Sequence, residues 1–330
     1  MKPKILWQAS QLQKNKSNLF KYENFLNKKY KIRFNKDYSK LHDWSVKHPE
    51  KFWNSIWDFS NVKGKKNEKF YKSKELFKNR FFINSKLNFA ENLLSKKDNS
   101  KAITFINENG YKEIRKWNEL NLNVGKISFY LKKINVKEKD RVAAYLPNLI
   151  ETVESFLATV SIGAIWSSCS PDFGVNGVIE RFAQIRPKVL ILCDRYYYNG
   201  KQINVIDRLK LILKKIKSIK NVIIINYPGK KHIKFKKKRG IKFEFWKNDE
   251  DFYKYGGKAP RSNCVLDVSK LVNAGVFMSP TVTVGAPTGF GPKTVDEGDD
   301  QRRAAFQLAQ RVASGGSVLS HSSAEGFSRQ

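Results

Sequence analysis

The 330-residue chain is poor in the residues that build cross-links and metal sites. It holds three cysteines, Cys169, Cys193 and Cys264, odd in number and far apart in sequence. That count excludes a disulfide framework. Four scattered histidines, His42, His48, His232 and His321, with no C-x-x-C pair, argue against a structural zinc site. No apolar run reaches the roughly 18 residues of a membrane span. The opening Met1 to Trp7 turns polar at Gln8, so it lacks the apolar core of a signal peptide. The expectation is a reduced, cytoplasmic protein that meets no membrane.

Arginine is scarce as well. Residues 1–256 hold 46 Lys but only 9 Arg, with a net charge of +31, whereas residues 257–330 carry +2. The lysine excess travels with abundant Asn and Ile, residues that share A/T-rich codons. A biased genome produces such a surface without selection for phosphate binding. Base and phosphate readers lean on the planar fork of arginine, so nucleic acid is not the expected partner. Isoleucine then vanishes: it is frequent up to Ile241 and absent from 257 to 330. Either a different module begins near Gly256-Gly257, or the last 74 residues are foreign to the first part through frameshift, fusion or assembly error. Within that stretch Ala305, Leu308 and Val312 suggest a short helix capped by Asp299 or Asp300.

What the chain does have is apolar patterning: 41 % hydrophobic and 13 % aromatic residues exclude a disordered chain. Leu19, Phe20, Phe25 and Leu26 mark one amphipathic helix. After Pro49, a good first-turn residue, Phe52-Trp53 and Ile56-Trp57 mark another, whose stripe reads as core packing. Asn109-Gly110, between two apolar stretches, predicts a hairpin. From residue 118 onward short apolar runs alternate with helical periods. The runs are Arg141–Leu146, Ala164–Ser167, Lys188–Cys193 and Val222–Ile225. Continuous apolar strands separated by helices predict an α/β fold with a doubly wound, mostly parallel sheet.

In such a sheet ligands bind at the carboxyl ends of the strands near the switch point, where we expect the small polar segment Trp166–Gly174. Ser170 or Asp172 is its candidate helix cap. A second candidate, Tyr196–Lys201, sets aromatics beside a lysine. Asp172-Phe173-Gly174 spells a kinase metal triplet without the accompanying kinase motifs. No G-x-G-x-x-G, Walker A or G-x-S-x-G sequence is present, and neither Cys169 nor Cys193 has a histidine nearby in sequence.

Several segments resemble one family. Leu41-His42-Asp43-Trp44-Ser45-Val46 with Phe52-Trp53 and Trp57-Asp58-Phe59 is similar to the N-terminal cap of acetyl- and acetoacetyl-CoA synthetases. Leu87–Leu94 resembles their L-N-[YF]-A-E-N-L-L segment, and Arg141–Asn148 their strand-turn entry. Ser161–Gly174 resembles acetoacetate–CoA ligases specifically, and Tyr198–Lys201 continues the match. The resemblance covers roughly residues 5 to 230. It implies an adenylate-forming fold, incomplete here: a helical cap over residues 1–95, a partial α/β AMP-binding domain over 96–256, and an unrelated-looking tail over 257–330.

It also implies chemistry with ATP, CoA and magnesium. Acetoacetate or a similar short acid becomes an acyl-adenylate, and the CoA thiol then displaces AMP. Ser167 and Ser168 fall where relatives place small residues against the pantetheine. Lys201 falls where acetyl-CoA synthetases carry an arginine near the 3′-phosphate; it keeps the charge without the bidentate fork. The family's phosphate loop, of the form S-G-T-T-G-x-P-K, is absent. Thr288-Gly289-Phe290-Gly291-Pro292-Lys293 resembles it but has the wrong spacing and no preceding apolar strand. The expectation is a ligase-like chain, truncated before the phosphate loop and inactive alone. The alternative is a non-catalytic CoA- or partner-binding module.

Overall fold

A computed structural model of the chain describes residues 6–71, 73, 79–230 and 240–246. The tail segments named above, including the short helix at Ala305–Val312, lie outside the described residues. The chain divides into two compact units between Ser85 and Lys86.

The first unit is helical. Helices α1 (Gln11–Lys16), α2 (Asn18–Tyr30), α3 (Tyr38–Lys47) and α4 (Pro49–Phe59) precede a two-residue strand, β1 (Gly64–Lys65). Starts are chemically defined: Ser17 accepts the Phe20 N–H at the head of α2, and Pro49 opens α4 where its missing N–H costs nothing. Tyr22, Leu26, Phe34 and Leu41 form the core, with Phe52 and Phe59 against it. The Tyr22 and Ser55 hydroxyls are 2.6 Å apart in that core, satisfying two buried polar groups at once. The Trp57 ring, 4.9 Å from Phe82, is buried, so the aromatic stripe is packing.

The second unit begins with β2 (Lys86–Leu87) and α5 (Phe89–Leu93), followed by a hairpin of β3 (Lys101–Ile106) and β4 (Lys112–Lys116). Its turn is longer than a two-residue Asn-Gly loop. The Asn107 side chain accepts the N–H groups of Asn109 and Tyr111, and Gly110 supplies the positive φ of +77°. The chain continues through α6 (Trp117–Lys133), β5 (Arg141–Tyr145), α7 (Ile150–Ser161), β6 (Ile165–Cys169), α8 (Val175–Ile185) and β7 (Val189–Cys193). A second hairpin, β8 (Arg195–Tyr198) and β9 (Lys201–Asn204), precedes α9 (Ile206–Lys215), β10 (Asn221–Ile225) and β11 (Lys242–Phe245).

Five strands form one parallel sheet in the order β11-β10-β7-β5-β6. The doubly wound reading holds, with β11 added beyond the four apolar runs. Strand β7 is buried at every residue and β10 at all but its first, which is why they read as unbroken apolar runs rather than alternation. Progress across the sheet reverses after β6, so right-handed crossovers put α7 on one face and α8 with α9 on the other. Two contacts agree with this. Phe156 of α7 meets the Trp166 ring edge-on at 6.0 Å, and Arg181 of α8 lies close enough to Cys169 to act on its thiol.

The order also relocates the switch point. It falls between β5 and β7, and β6, which carries the Trp166–Gly174 segment's first residues, is an edge strand. Sequence order made the segment after β6 look central. Pairing of β5 with both β6 and β7 moves it to the rim.

Candidate functional site

The carboxyl ends of the strands carry two distinct features: a cleft at the sheet's centre and a rim that holds the sequence-predicted residues.

The cleft has a volume of about 290 Å³. Its walls come from the residue after β11 (Trp246), from the loop after β10 (Asn226, Tyr227, Lys230), from the first turn of α7 after β5 (Glu151), and from the first hairpin (Tyr111, Glu113). It therefore spans the strand ends on both sides of β7, beside the switch point. Glu113 is held by Arg115 at 3.0 Å and by the Tyr111 hydroxyl at 3.1 Å. Arg115 in turn pairs at 2.8 Å with Glu154, a fully buried carboxylate that also receives Asn123. Burial, followed by the Glu113 charge and hydrogen bond, raises the Tyr111 hydroxyl above its ordinary value. Asn226 donates its amide to the Lys230 carbonyl at 2.7 Å, while its buried side-chain oxygen has no hydrogen-bond partner among the described residues. The wall sets the Glu113 and Glu151 carboxylates and the Asn226 oxygen beside the Lys230 ammonium and the Tyr111 and Tyr227 hydroxyls, so it offers both acceptors and donors.

Beneath the cleft the loop after β10 is anchored by Asp194, the residue after β7. Its carboxylate accepts the Tyr227 N–H at 2.9 Å and takes Arg195 through two nitrogens at 3.2 and 2.9 Å. Nothing in the sequence marked these cleft residues. Glu151 lies in the first turn of α7, an ordinary place for a carboxylate facing the helix dipole, so it carried no signal of a site.

The sequence-predicted residues sit on the rim, and none of them lines the cleft. Ser167 and Ser168 are successive on β6, so they project to opposite faces of the sheet. Ser168 shares the face of Trp166 and α7; Ser167 shares that of Cys169 and α8. Both are half-buried. Lys201 is exposed on the second hairpin, opposite Tyr198 across the Asn199-Gly200 turn. Both turn residues have positive φ, +51° and +72°, which is the two-residue turn that suits the twist of a hairpin. The Gly200 N–H donates to the Glu108 carboxylate at 3.2 Å, joining this turn to that of the first hairpin.

One other expectation changes, and the reading of the cysteines stands. The N-cap of α8 is Gly174 with no side-chain cap; Ser170 donates instead to Asp172 at 2.8 Å. Ser170, four residues before the N-cap, cannot reach the helix N–H groups when the intervening turn closes on itself. Both described cysteines are buried, and burial raises each thiol above its ordinary value. Cys193 also donates to the Arg195 carbonyl at 2.8 Å. Neither has the character of a nucleophile.

As for cofactors, no group of three or more His, Cys, Asp or Glu suited to a metal occurs among the described residues.

Residues 93–253 match the family model of AMP-binding enzymes. The chain is 41% identical over 194 residues to an acetoacetyl-coenzyme A synthetase of Rhizobium meliloti, covering 58% of this chain and 30% of that protein. It is 38% identical over 232 residues to an acetoacetyl-CoA synthetase of Xenopus tropicalis, covering 69% of this chain and 34% of the other. It thus spans about a third of the length of these relatives. Among solved structures, an acetoacetyl-CoA synthetase from Streptomyces lividans superposes with a TM-score of 0.70 at 25% identity, over 80% of this chain and 40% of that one. Over the matched residues the chain is therefore homologous to acetoacetyl-CoA synthetases, with its match to AMP-binding enzymes confined to residues 93–253.

Proposed function

We propose that this chain carries the CoA-facing part of an acetoacetate–CoA ligase. In the full reaction ATP and acetoacetate give acetoacetyl-adenylate and pyrophosphate, and the CoA sulfur attacks the acyl carbon with release of AMP. Adenylation makes a carboxylate attackable by giving it a good leaving group, and cationic groups or magnesium offset the phosphoryl charge. Supporting this reading is the coincidence of one parallel sheet, β11-β10-β7-β5-β6, inside the AMP-binding match at residues 93–253, with 41% identity to an acetoacetyl-coenzyme A synthetase over 194 residues.

Ser167 and Ser168 are assigned to the pantetheine side and Lys201 to the 3′-phosphate. Because the two serines face opposite ways, a ligand lying along one face of β6 meets one hydroxyl, and Ser167, on the α8 face, is the better placed. The 330 residues hold no glycine-rich phosphate loop of the family's form. The chain by itself is expected to bind CoA without forming the adenylate, in the cytoplasm where both substrates occur.

The test joins two measurements on the purified chain: calorimetric titration with CoA, and acetoacetate-dependent pyrophosphate release from magnesium–ATP. Saturable CoA binding with no pyrophosphate supports the reading. Turnover would overturn the claim that adenylation needs groups from outside this chain, and absence of CoA binding would remove the site assignment.

A further inference from the structure

The turn between β6 and α8 is held from outside itself. Internally it has one backbone bond, from the Phe173 N–H to the Ser170 carbonyl at 3.1 Å, and the Ser170–Asp172 contact; no side chain caps the helix that follows. Its two outward carbonyls, Pro171 and Phe173, find donors on two separate elements. Tyr145, the last residue of β5 and fully buried, donates its hydroxyl to the Phe173 carbonyl at 2.7 Å, with the Pro171 carbonyl at 3.1 Å. Arg208, in the first turn of α9, donates from Nη1 to the Pro171 carbonyl at 2.7 Å and to the Tyr145 hydroxyl oxygen.

The Arg208 Nη1 has two hydrogens, directed to the Pro171 carbonyl and the Tyr145 oxygen, with the Phe173 carbonyl a longer contact at 3.4 Å, and the single Tyr145 hydrogen goes to Phe173. Arg181 adds a further hold, stacking 4.4 Å from the Phe173 ring centroid, and Tyr196 hydrogen-bonds the Asp172 side chain. All of these groups lie on the α8–α9 face of the sheet, the face that Ser167 shares.

We propose that Tyr145 and Arg208 are positioning residues: they fix the Ser170–Gly174 turn, and so keep the Ser167 face of β6 shaped for the pantetheine arm of CoA. The ligand half of this proposal rests on the ligase reading above; the clamp itself does not. A guanidinium bonding a carbonyl is charge-assisted, and the buried Tyr145 hydroxyl would be costly to leave without its acceptor. A hydrophobic replacement at 208 therefore frees the turn without emptying the core.

The experiment uses the full chain with Arg208→Met, Arg208→Lys and Tyr145→Phe. Hydrogen exchange is followed at the amides of residues 172–174 and, as control, at those of β7. CoA affinity is measured calorimetrically. For Arg208→Met we expect turn exchange to rise and CoA affinity to fall, each by about tenfold, the size of one charge-assisted hydrogen bond, with β7 unchanged. Arg208→Lys, whose ammonium can still reach the Pro171 carbonyl, should recover part of both, a rescue that a generic loss of fold would not show. Unchanged turn exchange in both Arg208→Met and Tyr145→Phe overturns the clamp. A loosened turn with undiminished CoA affinity overturns its link to the ligand. If the unaltered chain binds no CoA, the ligase reading and that link fall together, while the exchange rates still decide the clamp.

Discussion

The carboxylate of Asp194 accepts the backbone N–H of Tyr227 at 2.9 Å while it pairs with Arg195, so one buried group ties the end of β7 to the loop that forms a wall of the cleft. Asp194 is 1 % exposed, and removing it would leave the Arg195 guanidinium buried without its carboxylate. Breaking a buried pair from one side costs about 3–5 kcal/mol. Asp194→Ala should lose stability on that scale, measured as the opening free energy of β7 and β10 amides in hydrogen exchange. Asp194→Asn should lose less, because its side-chain oxygen still accepts the Tyr227 N–H. Equal losses in the two variants would mean that the charge pair, not the loop tie, carries the effect.

A second buried-edge pair gives a pH signature. Burial pushes the Asp140 carboxyl up, but the hydrogen bond from Lys188 at 2.8 Å and that from the Lys137 N–H outweigh it and hold the group below its ordinary value. A carboxylate depressed in the folded state contributes stability above its unfolded pKa of about 3.9 and loses it as pH falls through the lower folded value. The difference in unfolding free energy between the natural chain and Asp140→Asn should be constant above about pH 5 and shrink below about pH 4. A difference that stays flat down to about pH 2 would show that Asp140 carries no such linkage.

How much of this was legible in the sequence depends on what each residue had to signal. β5, β7 and β10 are buried on both faces, and that burial writes an unbroken apolar run into the chain. β11 left no such run, since Lys242 and Glu244 interrupt it, and its pairing with β10 is a long-range fact. The switch point was misplaced for the same reason: local pattern gives strands but not their order. The hairpin at Lys201 was legible as a turn through Asn199-Gly200, yet its strands, rich in Tyr, Gln and Asn, did not announce pairing. Cleft residues Glu151, Tyr227 and Trp246 meet only when the sheet assembles, so no spacing could display them.

The Asn199-Gly200 turn should be sensitive to backbone alone. Space around Gly200 is open, with nothing within 4 Å of an added methyl, so a substitution there meets no clash and only the positive φ resists it. Gly200→Ala should weaken the β8–β9 hairpin by about 1 kcal/mol, the usual cost of a left-handed L-residue. The measurement is local opening by hydrogen exchange at Tyr196 to Gln202. Asn199→Val should cost more, because a β-branched side chain tolerates φ of +51° worse than asparagine. Unaltered exchange in both variants would mean that the turn relaxes to another type at no cost.

That turn also sets the sharpest test of the CoA assignment. Lys201 pairs across the turn with Tyr198, and both side chains are exposed, so its ammonium is available to a ligand phosphate. If it meets the 3′-phosphate, Lys201→Ala should weaken CoA binding by about tenfold at low salt, the worth of one charge-assisted contact. Dephospho-CoA, which lacks that phosphate, should bind the natural chain and the variant alike. The gap between the two ligands should narrow as salt rises, because an exposed pair is screened over about 10 Å at 0.1 M. Lys201→Arg separates charge from geometry: the planar fork of arginine should match or exceed the lysine for CoA and make no difference for dephospho-CoA. Equal weakening of both ligands by Lys201→Ala would place the phosphate elsewhere and assign the lysine to the surrounding field of a strongly basic chain.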